Sequence, residues 1–154
     1  MFIASEGGHL TQLLQLKPLF SEFESYLLSE KDNSTIDLKK RHGDAATVHL
    51  LPKVRKAKPI KYNLERLLLL FASFFKFLKI WPDVVVSTGA ITGVFICYFA
   101  KLFRKKIIFF ETYASIKNPS QAAKLVYPIA DRFYVQWPSM KQFYPKAIFI
   151  GSLY

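Results

Sequence analysis

Apolar positions along the chain change their period repeatedly. Short apolar runs cover residues 2–5, 25–29, 47–51, 84–86, 106–110, 132–136 and 147–150, and each reads as a strand. Longer runs with apolar residues three and four apart fall between several of them. They predict helices over 10–16, closing near Pro18, and over 62–80, 93–103 and 120–130, the last opened by Pro119 and Ser120. Residues 31–34 read as a turn, and residues 53–61 as a basic, proline-containing connection. Val84, Val85 and Val86 are three consecutive β-branched residues, the mark of a strand buried on both faces. Strands alternating with helices predict an α/β fold: a Rossmann-like, mostly parallel sheet with helices on both faces. At this length one domain over 1–154 is expected.

Parallel sheets bind ligands at the C-terminal ends of their strands. Residues 5–9, 87–89 and 111–114 each follow a strand and are therefore expected on one sheet edge. The first of these is Ser5-Glu6-Gly7-Gly8-His9. Its glycine pair lets backbone come close to a ligand, and the helix behind it offers unpaired N–H groups and a positive dipole end. The turn lacks the G-x-G-x-x-G spacing of a dinucleotide fingerprint. A phosphate or diphosphate cradle and a merely tight turn are both open readings. The second turn, Ser87-Thr88-Gly89-Ala90-Ile91-Thr92-Gly93, repeats the chemistry, with Gly93 also readable as a packing glycine.

His9 stands at the first helical turn, where the dipole favours the neutral imidazole. A neutral imidazole can take a proton from an attacking hydroxyl, although a histidine here can also be a polar surface residue. His42 and His49 have no comparable setting and read as structural or solvated.

Charge adds a second theme. The chain carries a net charge of +11 while 51% of its residues are apolar, with fifteen Phe and eight Tyr. Disorder is excluded by that apolar content. The charge points to a polyanionic partner: nucleic acid, an anionic membrane surface or phosphorylated ligands. Nucleic acid has only the charge in its favour, since no recognition helix, zinc spacing or RNP-type strand is present. On a helical wheel of residues 62–80, Glu65, Arg66, Lys76 and Lys79 gather on one side, and Leu67, Leu70, Phe71, Phe74 and Leu78 on the other. Lys53, Arg55, Lys56, Lys58 and Lys61 precede it; Lys101, Arg104, Lys105 and Lys106 follow the next helix. This is the composition of a surface that lies on an anionic membrane, or of a core helix with a solvated basic face. No secretory leader and no span of roughly 20 apolar residues is visible. The single Cys97 excludes an internal disulfide and reads as a small buried hydrophobe.

Five segments in order carry a resemblance: "ASEGGHLTQLLQL", "PDVVVSTGA", "FFETYA", "NPSQAAKLVYPIADRFYVQWP" and "YPKAIFIGSLY". Together they resemble the membrane-associated subunit of split two-chain glycosyltransferases. That group includes the eukaryotic subunit that helps add the second N-acetylglucosamine to dolichol-linked sugar, and bacterial capsule and exopolysaccharide proteins of the PssD or CpsF type. The resemblance covers nearly the whole chain and implies the N-terminal half of a GT-B fold, as in MurG. It implies a polyprenyl-diphosphate-linked sugar acceptor held by Ser5, Gly7, Gly8, Thr88, Gly89 and Gly93, with His9 and Glu111 as candidate catalytic residues. Membrane contact falls to Arg66, Leu67, Leu70, Phe71, Phe74 and Lys76. The first loop is shorter than the G-G-T-G-G-H of MurG, and Phe110 and Thr112 stand where its H-E-Q-N motif has His and Gln. A separate donor-binding C-terminal GT-B half is the implied partner, because the chain ends where a one-chain enzyme would run into its linker. UDP-sugar would bind mostly there. No cofactor, metal or nucleic acid is implied, and the expected location is peripheral, on the cytoplasmic face of the membrane. Two alternatives stay open: a scaffold that only anchors its partner, and an autonomous nucleotide-binding enzyme with Glu30 or Asp32 on a ribose.

Overall fold

The computed structural model describes residues 1–54 and 58–153; Arg55 and Lys56 of the basic connection lie outside the described residues. The elements run β1 (Phe2–Ile3), α1 (Gly8–Leu14), β2 (Tyr26–Glu30), α2 (Leu38–His42), β3 (Thr47–Leu51), α3 (Pro59–Ile80), β4 (Val84–Ser87), α4 (Ala90–Leu102), β5 (Lys106–Phe110), α5 (Gln121–Val126), β6 (Arg132–Val135) and β7 (Ile148–Phe149). The seven strands form one sheet in the order β3-β2-β1-β4-β5-β6-β7, and every pairing is parallel. The sheet is the Rossmann-like one that the alternation predicts. Strand order reverses between β1 and β4, and a crevice opens at the C-terminal ends of strands on either side of such a reversal.

Side chains alternate across the sheet with the period of two that a strand imposes. Ile3, Val85, Ile107, Phe109, Phe133 and Val135 meet Leu69 and Phe77 of α3, Ile96, Cys97 and Ala100 of α4, and Ala123 and Val126 of α5. On the opposite face Phe2, Ala4, Leu27 and Val86 meet Leu10 and Leu13 of α1, Leu38 of α2, and Phe20 of the short turn of 3-10 helix after α1. Cys97 is fully buried, and burial pushes its thiol pKa up to about 12, as an inert core residue requires. The helical cover of this second face stops short. Ile108, Phe110 and Tyr134 line an apolar groove of about 720 Å³ that also takes in Phe23, Trp81 and Ile150.

Several boundaries differ from the pattern-based expectation. α3 starts at Pro59, inside the stretch read as a connection, because a proline in the first turn gives up no helical hydrogen bond. α4 starts at Ala90 rather than residue 93. That puts Gly93 within the helix, where an added Cβ would lie 2.3 Å from Ser87 Oγ. α5 ends at Val126, earlier than residue 130, and β7 keeps two residues of the run at 147–150. α2 is a single short turn with one buried apolar residue, Leu38, too little for any periodicity to register.

Candidate functional site

Both glycine turns stand at the reversal point, one after β1 and one after β4. Gly7 has φ 77° and ψ −142°, Gly89 φ 119° and ψ −161°, conformations that only glycine adopts readily. Each is the N-cap of the next helix, and neither supplies a side-chain capping bond. An added Cβ on Gly7 or Gly8 would meet nothing within 4 Å, so this backbone lies open to close approach. Ala90, with φ 65°, holds a left-handed conformation that costs a residue with a Cβ about 1–2 kcal/mol.

The second turn has a different task. His9 Nδ1 lies 2.7 Å from the Thr88 carbonyl oxygen, and Thr88 Oγ1 donates back to the His9 carbonyl at 2.7 Å. A carbonyl only accepts, so Nδ1 carries the hydrogen and Nε2 of the neutral ring is left with a lone pair. Gly89 lies directly beneath this ring: a Cβ there would be 2.9 Å from His9 Cε1. Thr88 is fully buried and therefore clamps the histidine instead of facing a ligand. Gly93 likewise is buried and packs α4 onto Ser87, which supports the packing role also open for it. Ser5 is half-buried where the chain leaves β1.

Glu111 follows β5 on the same sheet edge, but its carboxylate is already engaged. Oε1 accepts from Thr112 N at 2.9 Å and Ser115 Oγ at 3.2 Å; Oε2 accepts from Ser120 N at 3.2 Å and the Tyr144 hydroxyl at 3.4 Å. The residue is 1% exposed. Burial first, then the Glu111 charge and hydrogen bond, hold the Tyr144 hydroxyl above its ordinary pKa. The Glu111 carbonyl receives Gln12 Nε2 and Gln136 Nε2 at 3.3 and 2.9 Å. Gln12 Oε1 accepts from Tyr113 N at 3.3 Å, tying α1 to the loop after β5. This arrangement orders a loop and engages both carboxylate oxygens.

A third group flanks the first turn. Lys53 pairs with both Glu6 and Asp32, and Ser34 Oγ donates to Glu6 at 3.2 Å. Lys53 is therefore spent within the protein and is not a membrane-facing cation. Glu30, at the end of β2, is buried and accepts from Thr92 Oγ1 of α4. Burial holds its carboxyl above the usual range, with the Thr92 hydroxyl partly offsetting this. Both carboxylates considered for a ribose thus have internal partners. Among the described residues no cluster of three or more His, Cys, Asp or Glu converges as a metal site would.

A family model described as "Oligosaccharide biosynthesis protein Alg14 like" matches residues 1–153. The chain belongs to the Alg14-like family. It is 28% identical over 177 residues to the mouse UDP-N-acetylglucosamine transferase subunit ALG14, covering 99% of this chain and 82% of that one. Over 75 residues it is 43% identical to the fission-yeast (Schizosaccharomyces pombe) subunit of the same name, covering 46% of this chain and 36% of the relative. Among solved structures, Acinetobacter baumannii MurG superposes with a TM-score of 0.71 at 13% identity over 90% of this chain. UDP-N-acetylglucosamine 2-epimerase from Rickettsia bellii gives 0.71 at 16% over 99%. The chain spans 41% and 44% of those two structures, and at such identities the likeness is one of fold.

No described helix of this Alg14-like chain is long and apolar enough to cross a membrane. α3 nevertheless has two apolar faces. Leu69 and Phe77 enter the core with Ser73, whereas Leu64, Leu67, Leu68, Phe71 and Phe75 point outward; Phe71 is 52% and Phe75 66% exposed. The turn-by-turn spacing 60, 64, 67/68, 71, 75 and 78 was available in the sequence, yet Ile60, Leu64, Leu68 and Phe75 are missing from the expected set. Four expected members are only half-exposed. Phe74 packs edge-on to Phe99 at 5.1 Å, and Leu70 is partly covered. Lys76 Nζ stands 3.3 Å from His49 Nδ1, and Arg66 lies over the Tyr62 ring at 5.6 Å. Burial and these two lysines, Lys76 and Lys79, hold the His49 imidazole below its ordinary pKa.

Proposed function

We propose that this chain is one acceptor-binding domain: the membrane-associated subunit of a two-component UDP-N-acetylglucosamine transferase. It holds a polyprenyl-diphosphate-linked sugar and works with a separate donor-binding GT-B half. The observation that carries the reading is the pair of glycine turns at the strand reversal, one open to a ligand and the other clamping His9. Open backbone at a helix start suits a diphosphate. His9, with Nε2 available, takes the proton of the attacking sugar hydroxyl. Glu111 orders the loop beside it and acts through position. The partner supplies the donor pocket, since transfer in GT-B enzymes occurs in the cleft between two such domains.

Reconstitution tests the reading directly. Purified chain alone should turn over no UDP-N-acetylglucosamine, and activity on polyprenyl-diphosphate-linked N-acetylglucosamine should appear when a donor-binding half is added. Equal turnover by the chain alone would sink the two-chain reading. Activity on a capsular or exopolysaccharide acceptor in its place would favour the PssD or CpsF type. The engagement of Glu111 gives the scaffold alternative some support, and His9 separates the two, because a pure anchor tolerates its loss.

Membrane contact is assigned to the outer face of α3, flanked by the exposed Lys58, Lys61 and Lys79. Apolar side chains enter the interface while each nearby cation adds about 1 kcal/mol at an anionic surface. Phe71→Ser with Phe75→Ser should release the chain from phosphatidylserine vesicles without unfolding it, as both rings point outward. Lys58→Glu with Lys61→Glu should weaken binding in a salt-dependent way. Undiminished co-sedimentation of both double variants would remove α3 from the membrane.

A further inference from the structure

A pocket of about 260 Å³ opens beside His9 between α4 and α5. Ile91 and Val94 of α4 and Ala122 and Leu125 of α5 make its walls apolar. The Ser120 hydroxyl there is committed to capping α5 through Ala123 N, leaving His9 and Gln121 as the polar side chains. Tyr98 of α4 donates its hydroxyl to the Leu125 carbonyl at 3.1 Å, holding the two walls together. From Ile91, apolar residues recur down α4 at Phe95, Tyr98 and Leu102, with Tyr98 and Leu102 exposed. This stripe runs alongside the Phe99–Phe74 contact that joins α4 to α3.

We propose that this pocket receives the first isoprene units of the acceptor's polyprenyl chain and passes the rest along α4 to the membrane-facing surface. The inference rests on the reading that the diphosphate lies at the glycine turns. A prenyl diphosphate joins its hydrocarbon to phosphate through one oxygen, so its first carbons must leave the site within a bond or two. His9 belongs both to the turn and to the pocket rim, so the hydrocarbon finds an apolar wall where it departs. The larger groove does not offer this. Met1, Ser25, Tyr26, Asp83 and Val84 line it, residues from the N-terminal ends of strands and hence from the opposite sheet edge. A charged head at the turns and an apolar tail in the pocket also separate the tasks of the two neighbouring surfaces: one reads phosphate, the other reads lipid.

Calorimetry of the full chain with methyl, isopentenyl, geranyl and farnesyl diphosphate tests this. Affinity should rise by about tenfold from methyl to geranyl as methylene groups are buried, and then level off. Leu125→Gln makes the wall polar and Ala122→Phe fills the space, two unrelated ways of closing the pocket. Leu125 is 45% exposed, so its replacement leaves the core intact. Each variant should cut the chain-length gain to about twofold or less while methyl diphosphate binds as before. A gain that survives both variants overturns the proposal. So does a gain abolished by Phe71→Ser with Phe75→Ser, which would put the chain on α3. Methyl diphosphate binding indifferent to Gly8→Val would overturn the underlying site reading, and this proposal with it, in a pattern distinct from both.

Discussion

In the reconstituted two-chain enzyme, His9→Ala is expected to lower turnover by about 10²-fold or more while leaving partner assembly intact. The reason is the position of the ring. Thr88 holds Nδ1–H through its carbonyl and grips the His9 backbone through its hydroxyl, so the imidazole is fixed before substrate arrives. Removing it deletes the proposed base and its 2.7 Å contact with the Thr88 carbonyl, but no member of either hydrophobic core. Gly89→Ala reaches the same centre from below. Its Cβ would meet the ring at 2.9 Å and force a backbone with φ 119° onto alanine, displacing the base without removing it. Turnover should fall in both variants, with thermal stability reduced more in the second. If His9→Ala turns over like the wild type, the turn is structural and the chain is an anchor for its partner's chemistry.

Glu111→Ala is expected to act through stability, costing about 3–5 kcal/mol. Four donors lose their acceptor at once: the Thr112 and Ser120 amides and the Ser115 and Tyr144 hydroxyls. Water reaches this place poorly, and a buried donor left unmade carries its full desolvation penalty. The carbonyl contacts of Gln12 and Gln136 should loosen with the loop, so the effect spreads to α1. Glu111→Gln keeps one acceptor oxygen and should lose about half as much. Urea titration of the two variants decides the matter. An unchanged midpoint for Glu111→Ala, accompanied by lost turnover in the pair, would return the carboxylate to the role of base.

Much of the architecture could be read before any coordinates. The three consecutive valines at 84–86 and the apolar run at 106–110 mark two strands through composition alone; burial on both faces holds for Val85 and Val86, while Val84 is exposed and Ile108 lines the groove. Ser120 at the head of α5 is a capping residue, and it caps there. What escaped was of two kinds. Short elements such as α2 bury too little to impose a period, and helix starts depend on caps that Gly89 and Lys58 leave without a side-chain signal. The Gln12–Glu111–Gln136 arrangement escaped for another reason: the first two are 99 residues apart, and a polar residue met in isolation gives no sign of burial.

The sequence by itself determined that this is a parallel α/β chain with two glycine turns and a terminal glutamate on one sheet edge. Alternation of strand and helix implies a parallel sheet, and in a parallel sheet every turn after a strand falls on the same side; the strand order itself came from the tertiary structure. It also pointed to a group that takes in the Alg14-like family, because several short motifs in a fixed order are more specific than any one of them; the capsular type named beside it is not shown. Only the tertiary structure decided how each of those residues is placed and what it touches. It separated Gly7, open to approach, from Gly93, closed against Ser87, although both are glycines near a helix start. His9 became a held, half-exposed ring, and Glu111 a buried acceptor for four donors. The outer face of α3 moved from Phe74 to Phe75, one residue and about a quarter-turn of helix. Periodicity records that a side chain is apolar and on which stripe it lies. Whether that stripe meets a neighbour or nothing depends on contacts from distant parts of the chain, and no local pattern carries them.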